Sequence, residues 1–410
     1  MRRIGAGALV AILVAAVLAG PAAPAATGQP TDLRQVLFVG NNWDGTVDVV
    51  TPDGQLTPVG SINVIPDRTQ RMIEIYLNPI RLVFFLAVRA LIGEGHDQFV
   101  DDMYTTPDGR LLIVSRPSFA DVVAINITTG RLAWRFPVSG QRSDHMALSP
   151  DGRQVAVSAS TGNVVHLLDV ETGREVGRFP TGDSPHENTY INGGRYIVNA
   201  SIGTVYTPLD HPLLDTTKGQ RFFEIYDRTT NQVIKRLDMS AKLAEAGFPG
   251  MSSAVRPMTF SPDERYVYFQ VSFFHGFVEY DLQTDRVLRV AELPNLVPDL
   301  PRSEYVLDSA HHGIAMNTAG TKICVAGTMS DYATVVSRAT FQNQGLVRTG
   351  EKPYWVTRSA DGNHCFVSWS GTDSISAISY DTGREVAHRA VGDHPQRMRL
   401  GFVPSTWSGN

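Results

Sequence analysis

One short turn, Ser149-Pro150-Asp151-Gly152, together with the strands around it, constrains this chain more than any other feature. Proline presets φ, aspartate caps its own turn, and glycine takes the positive φ that closes a tight hairpin. Met146–Leu148 before it is apolar and Gln154–Ser158 after it alternates. Val164–Val170 follows the turn Thr161-Gly162-Asn163, and Glu175–Phe179 follows Glu171-Thr172-Gly173. A four-stranded antiparallel unit of this size has two apolar faces, and burying both requires stacking on copies of itself.

The copies are present. Thr106-Pro107-Asp108-Gly109, Ser261-Pro262-Asp263-Glu264, Asn317-Thr318-Ala319-Gly320 and Ser359-Ala360-Asp361-Gly362 fill the same slot, with a worn version at Asn192-Gly193-Gly194. The third strand and its turn recur as AINITTGRLAWRF from Ala124, LLDVETGREVGRF from Leu167, EIYDRTTNQVIKRL from Glu224, EYDLQTDRVLRV from Glu279 and AISYDTGREVAHRA from Ala377. Without insertions the period is about 42 residues, the length of a propeller blade. Complete blades begin near Asp101, Asp144, His186, Arg256, His311 and Tyr354, and only three strands precede the first of them. The C-terminal strand Arg397–Val403 supplies the missing one. The chain therefore reads as an all-β, seven-bladed β-propeller of four-stranded antiparallel blades, closed by its C-terminal strand pairing into blade one. Such a clasp removes the open sheet edges.

The stretches HMALSPDGRQVAVS, RPMTFSPDERYVYFQ and GEKPYWVTRSADGNHCFVS resemble the YVTN or YncE-like seven-bladed β-propeller repeat family, over roughly Val36 to Val403. Its aromatic strand position is replaced here by Ala156 and Cys324, and the turns of blades four and six are degenerate. The resemblance implies the fold. It leaves function among the classes that the family and its relatives contain: binding scaffolds, lactonases and metal-dependent lyases.

Outside the repeats, residues 1–25 read as a signal peptide, with Arg2-Arg3, an apolar stretch Ile4–Leu18 and a small-residue cleavage site at Ala23-Pro24-Ala25. Residues 26–34 read as a linker and 35–410 as the propeller, secreted or periplasmic after cleavage. A helical insertion (66–97) contains a hairpin kinked at Pro79, whose apolar core between Arg81 and Arg89 is too short to span a bilayer. Its hairpin, 68–93, either packs over the rim or offers a membrane-surface or dimer contact. A loop insertion covers 202–220. The net charge of −5, with no basic run, provides no concentrated Lys/Arg surface for nucleic acid or anionic membrane, and no nucleic acid is expected as partner. Cys324 and Cys365 can face each other across one gap between blades, as a disulfide suited to an exported protein or as two buried thiols.

The segment entering each innermost strand lies at one mouth of the axial channel. These segments read Asp101-Asp102, Asp144-His145, His186-Glu187, Arg256, His311-His312, Tyr354-Trp355 and His394 with Arg397. Nearby loops add His96, His211 and His275, so only His166, His364 and His388 of the 11 histidines fall elsewhere. Three readings follow. Imidazoles of His145, His186, His311, His312 and His394 can hold zinc or another divalent transition metal, with Asp144, Glu187 or Asp308 orienting them. Without metal, His145 or His186 can act as general base with Glu187 as partner and Arg256 with Arg397 as anion clamps, a catalytic set similar to that of lactonase-type propellers. Alternatively, Asp101, Asp102, Asp144, Arg256, Tyr354 and Arg397 line a hydrated cavity that binds a small-molecule ligand or an extracellular protein without turnover. The leading expectation is binding of a small ligand, metal or extracellular partner; the alternative is a metal-assisted hydrolase or lyase, or a lactonase-like enzyme. No Ser-His-Asp triad, phosphate loop or dinucleotide fingerprint is present.

Overall fold

The repeated turns form as their chemistry requires. Ser149 Oγ donates to Asp151 Oδ1 (2.5 Å), Arg153 N donates to the same oxygen (3.1 Å), and Gly152 takes φ +68°. Ser359 and Asp361 repeat the pair at 2.5 Å. Glycine is needed here for a second reason. A Cβ on Gly152 would sit 2.3 Å from Pro107, and one on Gly320 would sit 2.6 Å from Pro262. The turn of one blade thus packs directly onto the proline of the blade before it.

A computed structural model describes residues 32–205 and 212–409. The expected signal peptide, most of the expected linker and the loop histidine His211 lie outside the described residues. Seven antiparallel sheets stand around an axis. Their first strands are Pro395–Pro404, Asp102–Thr105, Ser143–Leu148, Pro185–Ile191, Val255–Phe260, Ile314–Met316 and Pro353–Arg358. Each packs on the first strand of the next blade, and the seventh returns to the first, so these strands line the centre. Pro395–Pro404 pairs antiparallel with Leu33–Asn41, placing Leu400 opposite Leu37 and Met398 opposite Val39. The ring is closed by that pairing.

Blade six departs from the expected four strands. It has three, Ile314–Met316, Lys322–Gly327 and Tyr332–Ser337, and its outer edge carries only isolated bridges at Asn343 and Val347. The segment that would form a fourth strand is interrupted by positive φ at Phe341 and Gly345. Beside it, Cys324 and Cys365 form a disulfide with Cα atoms 6.3 Å apart, joining the second strands of blades six and seven.

The insertion is a helical hairpin, α1 (Arg68–Tyr76) and α2 (Pro79–Leu91), and the Asn78 side chain caps α2 by accepting from the amides of Ile80 and Arg81. Ile75 of α1 and Phe85 of α2 join the core cluster of blades one and two, and Arg81 donates to the Phe119 carbonyl (2.8 Å). The hairpin therefore sits on the rim. Leu77, Ile80 and Val83 face outward, and no helix among the described residues is long and apolar enough to cross a membrane. A third helix, α3 (Met239–Glu245), follows the last strand of blade four. Asp238 caps it through Ser240 N (2.9 Å), and Met239 and Leu243 are its buried residues.

Because the disulfide closes a separation of 41 residues, replacing Cys324 and Cys365 together by serine should cost about 2–4 kcal/mol. Thermal denaturation of the two proteins checks this, and an unchanged melting temperature contradicts it.

Candidate functional site

Side chains reach the axis because the inner ladders are broken there. Register shifts fall between Ser143 and Met146, Pro185 and Glu187, Val255 and Met258, and Pro353 and Trp355. In blade one the shift leaves residues between Pro395 and Met398 outside the ladder. Each bulge takes residues out of strand alternation and lets them re-aim. Asp144, His145, His186, Arg256, Tyr354 and Arg397 all stand at such positions.

The result is a triad of imidazoles. One ligand nitrogen from each of His145, His186 and His312 lies within 4.8 Å of the others, and His186 Nε2 is 3.2 Å from His312 Nε2. Two nitrogens at 2.0–2.1 Å from a tetrahedral zinc stand about 3.3 Å apart. The outer nitrogens are held. His145 Nδ1 is 2.7 Å from Glu187 Oε2, and His312 Nδ1 donates to the Tyr354 carbonyl (3.1 Å). His186 Nδ1 lies 3.5 Å from Asp144 Oδ1 without a hydrogen bond. Carbonyl support on His312 Nδ1, and carboxylate support on His145 Nδ1 when Glu187 is ionised, fixes the tautomer that leaves Nε2 free for a metal. Asp144 is in turn held by Arg142 at 2.5 Å.

The electrostatics suit neutral imidazoles. Burial, then the Arg397 charge, holds His145 and His312 well below the usual histidine range. Burial brings His186 down to about 4, against the opposing pull of Asp144. The carboxyls diverge. Burial raises Glu187 to about 8 and Asp101 to about 7, in both cases opposed by Arg397. Asp144 is buried too, yet the Arg142 guanidinium beside it holds it well below the ordinary carboxylate range. Asp101, Asp144 and His145 form a second group with ligand atoms within 4.8 Å. A cavity of about 40 Å³ opens on this side, walled by Asp101, Asp144, His145, His186, Arg256 and Tyr354, with Ile92 and Gln98 reaching in just after the hairpin. At the other end of the centre, Glu187, Trp355 and Arg399 border a wider pocket of about 490 Å³.

The remaining expected ligands stand apart from the triad. His311 turns away from its neighbour His312, meeting Tyr332 OH (3.2 Å) and the His275 ring (centroids 5.5 Å apart). His394 stacks on Trp43 at 3.8 Å, and His96 stacks on the same indole at 3.9 Å. Neither belongs to the three-histidine group. Asp102 serves the ring rather than the cavity: it takes two 2.8 Å bonds from Arg399 and one from Met146 N (3.0 Å). Arg256 lines the cavity while donating to Ser272 Oγ (3.0 Å) and the Leu307 carbonyl. Tyr354 stacks on His312 at 4.2 Å, and Arg397 lies 3.9 Å over Trp355. Sequence reasoning missed Arg142, although a basic residue two positions before Asp144-His145 in a segment aimed at the axis was a readable signal.

Comparisons with known proteins fit the fold. A family profile described as "Outer membrane protein assembly factor BamB" matches residues 106–248, within blades two to four and the turn of the chain after them. No curated protein matches the chain. Among solved structures, the chain titled Kuenenia stuttgartiensis Hydrazine Synthase is similar with a TM-score of 0.52 and 14% identity, over 69% of this chain and 77% of that one. At that identity the likeness shows the propeller fold alone. Together these support the β-propeller fold, with similarity to the BamB family over residues 106–248.

Burial lowers the folded pKa of His145, His311 and His312 and sets His186 and His275 at about 4 and His394 at about 3. Below about 6.5 the unfolded chain therefore binds more protons at these groups, and acid favours unfolding. Asp101 and Glu187 act in the opposite sense but are outnumbered. The melting temperature of chelator-treated protein should accordingly fall as pH is lowered from about 6.5 to about 4; a flat profile across that window contradicts this.

Proposed function

We propose that this chain is an extracytoplasmic, YncE-like propeller whose axial pocket holds a divalent transition metal, zinc foremost, on His145, His186 and His312 and presents it to a small ligand. The observation that carries the reading is the arrangement of nitrogens. Two of the three rings are held by their Nδ1 atoms, while His186 Nε2 and His312 Nε2 stand 3.2 Å apart, a separation that suits a shared ion. Three protein ligands leave a coordination position open, as in catalytic rather than structural zinc sites. The lining of the adjoining cavity by His145 and His186 gives that position a route for a small molecule.

A second reading, metal-assisted hydrolysis or elimination, is favoured by Asp101, whose carboxyl is pushed up to about 7. A carboxyl poised near neutrality can accept and return a proton at its own oxygen. A bound ion would supply Lewis acidity there. Glu187 keeps His145 oriented through the 2.7 Å contact, Asp144 acts on His186, and Arg142 keeps Asp144 ionised. The hairpin end at Ile92, with Ile202 and Val205, restricts water at this mouth.

Zinc titration of the mature chain tests the reading. Wild-type protein should take up one ion, His312→Ala and His145→Ala should lose it, and Glu187→Gln should weaken it about 10–100-fold. His311→Ala, one residue from His312 but facing Tyr332, should leave affinity unchanged. No zinc uptake by wild type, or equal loss in the His311 and His312 variants, would refute the proposal.

A further inference from the structure

Arg397 is the anomaly of this centre. Its side chain is 0% exposed, and Nε, Nη1 and Nη2 are all buried without a hydrogen-bond partner. Two other arginines of the centre pair with carboxylates, Arg142 with Asp144 at 2.5 Å and Arg399 with Asp102 at 2.8 Å, and Arg256 donates to Ser272 Oγ at 3.0 Å. A guanidinium cannot shed its proton, so burial without a counter-charge is strongly unfavourable unless a ligand supplies that charge.

The neighbouring carboxyls are committed elsewhere. Asp144 belongs to Arg142, Asp102 to Arg399, and Glu187 to His145. Asp101, whose Oδ2 is itself without a partner, is in no ion pair with Arg397 among the described residues. One face of the guanidinium lies against the Trp355 indole at 3.9 Å, which leaves the in-plane N–H fork as the group still to be satisfied. That fork matches a carboxylate with two parallel hydrogen bonds. Trp355 also stands against the triad, edge-on to His145 (6.0 Å) and tilted to His312 (6.2 Å).

We propose that Arg397, held flat by Trp355, is the anchor for the carboxylate of a small organic acid, which places the rest of that acid beside the three histidines. This names the ligand class of the site proposed above and rests on that reading for the role of the metal, but the anchor itself requires no metal. Arg397 does not itself wall the cavity of about 40 Å³; its neighbour Gln396 does, together with His145 and His186.

Calorimetric titration of chelator-treated mature protein with acetate, formate and inorganic phosphate tests it, repeated on Arg397→Gln and Arg397→Lys. Acetate or formate should bind wild type saturably, and Arg397→Gln should weaken this at least about tenfold while still taking up zinc. Arg397→Lys, which keeps the charge but not the fork, should fall between; it also serves as the informative variant if the glutamine protein does not fold. Equal carboxylate affinity in wild type and variant overturns the anchor. So does a wild type that binds no carboxylate while Arg397→Gln gains thermal stability, because the guanidinium is then only a structural cost. Binding of phosphate but not carboxylates overturns the ligand class. Carboxylate binding through Arg397 in a protein that takes up no zinc would instead refute the metal reading and leave the anchor standing.

Discussion

The antiparallel pairing of Pro395–Pro404 with Leu33–Asn41 is the contact on which the rest of the molecule depends. It joins the two ends of the described chain, turns a row of sheets into a ring, and so creates an axis. Without it, first strands from blades three, four and six would have no reason to bring His145, His186 and His312 within 4.8 Å of one another. The same strand delivers Arg397 to the centre and sends Arg399 to Asp102 of the next blade. Closure and site assembly are thus one event.

The local device that converts a scaffold into a site is the bulge. A regular ladder would keep alternating side chains between the faces of each sheet. Breaking register at the start of the first strand frees one or two residues in each of these blades to turn inward, and Asp144, His145, His186, Arg256 and Tyr354 occupy those places. The cost is a buried polar centre. Much of it is offset by pairing: Arg142 with Asp144, His145 with Glu187, Asp102 with Arg399. Among the described residues, the groups left without a partner there include the Arg397 guanidinium, one oxygen of Asp101, Nε of Arg142 and one nitrogen of His186. Groups of that kind persist in a fold when function retains them.

The fold was legible because turn chemistry repeats. Ser149-Pro150-Asp151-Gly152 and its copies fix both hairpin geometry and period, so blade count and ring closure follow from spacing. One exception arose where the cue was local: positive φ at Phe341 and Gly345 interrupts the outer edge of blade six and leaves it with three strands. The site was legible only as a set of residues near one mouth. His311 and His312 are adjacent in sequence, yet only His312 joins the triad, while His394 goes to Trp43. His311 and His312 both precede the first strand of blade six, Ile314–Met316, so neither strand alternation nor residue type says which of them turns to the axis. Arg397 shows the same limit: its residue type could be read, but the absence of a hydrogen-bond partner for its guanidinium could not.

A zinc-soaked crystal structure, with the ion located by anomalous scattering, tests the central claim most directly. The account predicts one ion at the axis with Nε2 of His145, His186 and His312 at about 2.0–2.1 Å. An ion held by His275 and His311, or by Asp101 and Asp144 without the imidazoles, or none at the axis at saturating zinc, would contradict it.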